Sequence, residues 1–302
     1  MTAALLWVTA SAGACKKGED STSDSSAKPQ DDDGGSNAED GKPERGPFPP
    51  ADGSAPVVDL GGVSLERNPE DRTLSATLWN DGVWEKTQTE QLLEQLSPGD
   101  TFVDIGANIG YYTVLAAQKV GAKGRVFAFE PDPESFALLQ RNVERNGLSQ
   151  VVLENKAAGA EDGKLELFLS TANRGDHRIY DPGGGRSSVE VAVVRLDDYF
   201  AKAGGPIHAV KIDTRGAECA ILAGMSALLE GHAELSLVVA YYPGFVKAMG
   251  YEPAECFGDL AERGYAMRSI DDATGRVEPT TVQALSPDED GALLLPRRKA
   301  AG

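Results

Sequence analysis

The sequence predicts a doubly wound α/β domain: a parallel sheet with helices on both faces and a small β insertion. Three observations carry this. From residue 101 onward, short apolar runs alternate with amphipathic helical stretches. Those runs are rich in β-branched and aromatic residues. The first of them, TFVDI, passes through a glycine-rich turn, DIGANIG (104–110), directly into the helical stretch YYTVLAAQKV.

The chain has 302 residues and opens differently. Residues 4–15, ALLWVTASAGAC, form a short apolar run ending in small residues and Cys15. This is about the length of a signal-peptide core and shorter than a membrane span. Small residues before a cysteine resemble a bacterial lipobox, with Cys15 as the lipidated residue. No Lys or Arg precedes the run, and Ala12 stands where such a pattern favours leucine. A lipid anchor in a bacterial envelope and a cytoplasmic chain with an unstructured start are both open. Residues 16–55 are mostly Ser, Asp, Gly, Lys and Pro. So little apolar surface cannot offset the entropy of ordering, and a disordered tether is expected.

From residue 56 the composition turns globular. VVDLGGVSLERN and TLSATLWNDG alternate as short strands do, and EKTQTEQLLEQL places Leu92, Leu93 and Leu96 on one side of a helix. Then follow TFVDI (strand), YYTVLAAQKV (helix), RVFAFE (strand), SFALLQRNVERN (helix) and VVLENKAAG (strand). KLELFL (164–169) and VEVAVVRL (189–196) are read as extra strands around a polar loop. The alternation resumes with HAVKID, the helix AECAILAGMSALLEG, the strand LSLVVAYY, the helix PAECFGDLAERG and the strand YAMRSID. GALLLP (291–296) is a final strand, read as antiparallel.

Forty-seven acidic against 29 basic residues give a net charge of −18, which argues against a nucleic-acid partner. No apolar stretch is long enough to span a membrane, so membrane attachment would run only through lipid on Cys15. His177, His208 and His232 are scattered, no CxxC is present, and no zinc site is expected. Cys219 and Cys256 fall in helical patterns and read as small core residues.

The chemistry should sit beyond the carboxyl ends of the strands. In DIGANIG, Gly106 and Gly110 allow a tight turn, but G-x-x-x-G is not the G-x-G-x-x-G that cradles a pyrophosphate. Asp104 would repel a phosphate and suits a cationic ligand such as the amino group or sulfonium of S-adenosylmethionine. Glu130, at the end of RVFAFE, can accept both hydroxyls of a ribose. Together these favour S-adenosylmethionine over NAD. The simpler alternatives are a helix cap for Asp104 and a solvated strand end for Glu130.

GVWEK (83–87), SPGDTFVDIGANIGYYT (97–113), GRVFAFEPDPESFALLQRNVERNGL (124–148), RGDHRIYD (174–181), VVRLDDYF (193–200) and VKIDTRGAECAILAGM (210–225) resemble the FkbM family of S-adenosylmethionine-dependent methyltransferases. The resemblance runs in order over about residues 75–270. It implies a Rossmann-like seven-strand methyltransferase sheet and methyl transfer to a hydroxyl on a glycan or natural product. It also implies a cofactor site of Asp104, Gly106, Asn108, Gly110 and Glu130. Asp213, at the tip of HAVKID, and His177, in the GDHR loop, are the candidate general bases. Glu85, Arg178, Lys211, Arg215 and Glu218 are the candidate acceptor-binding residues. Lys211 should share a sheet face with Asp213, and Glu218 opens a helix whose dipole favours its charge. Arg178 could equally hold a cofactor carboxylate, an acidic substrate or a loop aspartate.

Two positions depart from the family pattern. Arg215 stands where glutamate or glutamine is expected, and Ala240 where glutamate is expected. A guanidinium at 215 should lower the pKa of Asp213 and weaken it as a base. Two function classes follow: an active O-methyltransferase, and a catalytically silent module that keeps the fold.

Overall fold

The computed structural model describes residue 48 and residues 56–171, 173–232, 234–285 and 289–296. The signal-like segment 1–15, and the tether 16–55 apart from Phe48, lie outside the described residues. Two short strands, β1 (Val57–Asp59) and β2 (Ser64–Glu66), pair as an antiparallel ribbon ahead of two helices, α1 (Leu74–Asp81) and α2 (Lys86–Glu94). The alternating core follows: β3 (Thr101–Ile105), α3 (Tyr111–Val120), β4 (Arg125–Phe129), α4 (Pro133–Arg145) and β5 (Val151–Glu154). An insertion of β6 (Ala157–Gly159), β7 (Gly163–Phe168) and β8 (Ser188–Arg195) precedes α5 (Leu196–Ala203) and β9 (Ala209–Ile212). The chain continues through α6 (Glu218–Gly224), α7 (Ser226–Gly231), β10 (Ser236–Tyr241), α8 (Pro243–Ala248) and α9 (Pro253–Glu262). It closes with β11 (Met267–Asp271), β12 (Arg276–Thr280) and β13 (Gly291–Leu295).

The main sheet has eight strands in the order β12-β11-β13-β10-β9-β3-β4-β5, and β10, β9, β3, β4 and β5 are mutually parallel. β13 runs antiparallel between β10 and β11. Strand order reverses between β3 and β9, so the switch point lies where Ile105 and Ile212 end side by side. The β insertion forms its own sheet, ordered β6-β8-β7.

Central strands covered on both faces are apolar on both. Val103, Ile105, Phe127, Phe129, Val210, Ile212, Leu237 and Val239 enter one core. Their alternates Phe102, Val126, Ala209 and Val238 enter the other. Asp104 and Lys211 occupy this second face as register partners on β3 and β9.

Several elements differ from the sequence reading. TLSATLWNDG is a helix, because Leu74, Ser75 and Leu78 are buried at helical spacing. The sheet has an eighth strand, β12, a polar edge strand holding Pro279. The helix expected over AECAILAGMSALLEG breaks at Met225 into α6 and α7. Gly224 lies so close to β6 that a Cβ there would come within 2.0 Å of the Gly159 carbonyl oxygen. Cys219 and Cys256 are not free core thiols. They form a disulfide between α6 and α9, with Cα atoms 5.6 Å apart, and that pairing depends on helix packing that spacing alone does not show.

Candidate functional site

The DIGANIG turn is built by its main chain. Gly106 has φ +82°, and a Cβ there would meet the Asp213 carbonyl oxygen at 2.0 Å, so the turn and the tip of β9 can touch only through a glycine. The N–H groups of Gly106 and Ala107 both donate to the Phe129 carbonyl at 3.0 Å. Asn108 is left-handed at φ +51°, and its N–H donates to Glu130 Oε2 at 2.7 Å. Glu130 Oε1 accepts from the Asp132 N–H at 2.8 Å. Burial pushes the Glu130 carboxyl up to about 8, against the downward pull of those two N–H donors. Asp132 caps α4 through Ser135 and faces His177. Burial alone would raise its pKa, but hydrogen bonds from His177 and Ser135 hold it down at about 2.

A cavity of about 120 Å³ opens over this turn. On the β4 side of the turn it is lined by Glu130 with the apolar Ala157, Ala158, Leu167 and Ile179, and on the β9 side, its far end, by Lys211, Asp213 and Tyr112. A second cavity of about 530 Å³ lies beyond Asp213 and is lined by Glu85, Asp213, Ala240, Tyr242 and the turn after β11.

The far end is held by side chains. Lys211 Nζ lies 3.0 Å from Asp213 Oδ2 and 4.3 Å from the centre of the Tyr112 ring. Burial opposes the lysine's charge, but Asp213, then Asp104, then Glu85 keep its pKa above the usual value. Burial would raise Asp213, yet Lys211 first and Arg215 second hold its carboxyl below the usual range. Arg215 is left-handed at φ +53°, stacks 4.1 Å from the Tyr242 ring centre, and donates from Nε to the Gly175 carbonyl at 3.1 Å. Glu85 is also left-handed, at φ +42°, and its Oε2 accepts from the Tyr112 hydroxyl at 2.7 Å and from Gln88 Nε2. Burial and then Asp213 push the Glu85 carboxyl up to about 7. Among the described residues, Glu85, Asn108 and Arg215 are the three non-glycine residues with positive φ, and each lines one of the two cavities. Such backbone strain collects at functional sites.

Gly106, Asn108, Glu130, Lys211, Asp213, Arg215 and His177 all line the first cavity. Glu85 lines the second cavity, and the other four expected site residues line neither. Asp104 is fully buried beneath the turn, where its Oδ2 accepts from the Thr113 hydroxyl at 2.6 Å, and it does not line the cavity. Gly110 packs against Leu139, where a Cβ would come within 2.6 Å. Arg178 is buried, bonded to Asp176 and set 3.5 Å from the Phe245 ring centre. Glu218 is fully buried and accepts from the N–H groups of Thr214 and Gly216 at 3.2 and 2.8 Å, which makes it a support for the loop.

His177 is not placed to act as a base. Its Nδ1 accepts from the Ser170 N–H at 2.9 Å, and Nε2 faces Asp132 at 3.4 Å, so neither nitrogen offers a lone pair to an acceptor. Sequence reasoning missed Trp84, Tyr112, Lys156, Arg174 and Tyr242, which line the cavities from other elements. Tyr112, Trp84 and Arg174 fell inside quoted motifs, and that placement was the one signal they gave.

The order reversal at β3 and β9, with an acidic residue just beyond β4, defines a doubly wound α/β domain. Residues 104–245 match the Methyltransferase FkbM domain. Methyltransferase 1 of Beauveria bassiana is 30% identical over 149 residues, covering 42% of this chain and 59% of that protein. Hexuronic acid methyltransferase AglP of Haloferax volcanii is 29% identical over 141 residues, or 46% and 55% of the two chains. The 31-O-demethyl-FK506 methyltransferase FkbM of Streptomyces tacrolimicus is 30% identical over 163 residues, or 43% and 61%. The chain thus spans between half and two thirds of these relatives' length.

Proposed function

We propose that this protein transfers the methyl group of S-adenosylmethionine to a hydroxyl on a glycan or natural product. One observation carries the reading: the Asn108–Glu130 clamp opens into a cavity that is apolar at one end and reaches Asp213 at the other. The residues present fit the cofactor. Each Glu130 oxygen accepts one backbone N–H and keeps a lone pair, which two ribose hydroxyls can use. Ala157, Ala158, Leu167 and Ile179 offer an adenine-sized apolar wall. Bound S-adenosylmethionine supplies a methyl group activated by a sulfonium. The chain then has to align an acceptor oxygen with that carbon and exclude water. Two relatives, a hexuronic acid methyltransferase and a 31-O-demethyl-FK506 methyltransferase, support a hydroxyl-rich acceptor. Incubation with methyl-labelled S-adenosylmethionine and a panel of glycosides and polyketides tests this, with label expected in at least one acceptor.

A specific observation favours a second reading, a catalytically silent module tethered outside the cytosol. The Cys219–Cys256 disulfide is of a kind that persists in oxidising compartments, which are not expected to supply S-adenosylmethionine. Lipid on Cys15 and a tether over 16–55 would complete that arrangement. Label on any acceptor removes this second reading.

A further inference from the structure

We propose that Glu85, rather than Asp213, takes the proton from the acceptor hydroxyl. The assignment rests on the methyl-transfer reading above.

The geometry sets Glu85 apart from the carboxylates of the turn and of the β9 tip. Asp104 is sealed beneath the turn with Thr113, and Glu218 is committed to the backbone of its own loop. Both Glu130 oxygens hold main-chain N–H groups on the β4 side of the first cavity. Asp213 is tied to Lys211, with Arg215 adding positive charge. Glu85 differs in three ways. Its Oε2 takes both hydrogen bonds, from Tyr112 and Gln88, and among the described residues nothing donates to Oε1. It borders the second cavity beside Asp213, so the larger space is where an acceptor would lie. It precedes α2 without capping it: Asp272, from the turn after β11, takes the Thr87 and Gln88 N–H groups at 2.7 and 3.1 Å. The role an acidic residue would ordinarily fill there is thus filled from another segment, and Glu85 is held in a strained left-handed conformation.

The charged and titratable groups acting on Glu85 are Lys211 from β9, Asp213 and Arg215 just after it, Tyr112 from α3, Asp272 after β11, and Tyr242 after β10. Their balance separates two neighbouring acids, Glu85 raised to about 7 and Asp213 lowered, and such a separation marks acid and base roles. A base near neutrality is also the most effective at neutral pH.

In the step itself, the acceptor oxygen bonds to the methyl carbon as the carbon–sulfur bond breaks, and sulfur keeps that electron pair. The hydroxyl proton passes to Glu85 Oε1, leaving a neutral carboxylic acid that later releases the proton to water. Negative charge on Glu85 and positive charge on sulfur are both lost, so charge balances.

Two readouts on the full chain test the assignment. Carbon-13 carboxyl NMR should find two glutamates titrating near 7, Glu85 and Glu218, of which one vanishes in Glu85→Gln while the other remains. A Glu85 that titrates in the ordinary range overturns the proposal. S-adenosylhomocysteine release, with methyl glycosides or water as acceptor, should fall by about 10²–10⁴-fold in kcat for Glu85→Gln. S-adenosylhomocysteine affinity should stay within twofold. A Glu85→Gln protein within threefold of the parent rate overturns the proposal. If the parent fails to bind S-adenosylmethionine in calorimetry, the methyl-transfer reading itself has failed, a different result from either of these.

Discussion

The two ends of the cavity are held in contrasting ways. Around Glu130, main-chain N–H groups and glycine geometry fix the site, and both hydrogen bonds to its carboxylate come from within the stretch 108–132. Around Asp213, the site is held by charged side chains from β9, α3 and the segments before α2 and after β11. The first end is rigid and local in sequence. The second depends on a balance of buried charges, so a substitution can shift its chemistry without touching the fold's framework.

The largest break in that contrast should come from Lys211→Met. Lys211 is 2% exposed and faces Asp104, Asp213 and Glu85. Removing one member of a buried charged group costs about 3–5 kcal/mol, because the partners remain uncompensated. Urea unfolding should show the loss, and an unchanged midpoint would mean that the second end is not held by charge. A somewhat smaller effect should follow Cys219→Ser with Cys256→Ser. The disulfide closes a sequence separation of 37 residues, worth at most about 4 kcal/mol by loop entropy. Because α6 leads out of the Asp213 loop, amide exchange should speed up in α6 and stay unchanged at Asn108. Equal loosening at both would erase the distinction.

A third expected effect is on pH. Glu85, Glu130 and Glu218 are raised from 4.5 to about 7, 8 and 7 in the folded protein. Between pH 4.5 and 8 the folded chain therefore binds more protons than the unfolded one, so stability falls as pH rises through that window. The melting temperature should decline from pH 5 to 8 and level off above. Glu218→Gln should flatten the decline without altering cofactor affinity, and a melting temperature that rises over the same range would contradict these shifts.

How much was legible in the sequence follows the same division. TFVDIGANIG and RVFAFE show the first end because strand, turn and carboxylate lie in short continuous runs. Asp104 was the exception: its place at the motif's head suggests ligand contact, while strand alternation turns it into the core beside Lys211. At the second end, the Lys211–Asp213 pair follows from two-residue spacing on one strand. Arg215 lowers Asp213 as its charge implies, although Lys211 acts more strongly. The roles of Glu85, Asp272 and Tyr242 require three distant segments to meet, and no local pattern encodes that meeting. His177 shows the converse, since a histidine in a motif loop looks catalytic until its hydrogen bonds are known.

The proposed function places S-adenosylmethionine at the Glu130 end. Calorimetric titration of the full chain and of Glu130→Ala with S-adenosylmethionine tests that placement. The expected result is one-to-one binding by the parent chain, weakened at least tenfold in the variant. No binding by the parent, or binding that Glu130→Ala leaves unchanged, would contradict it.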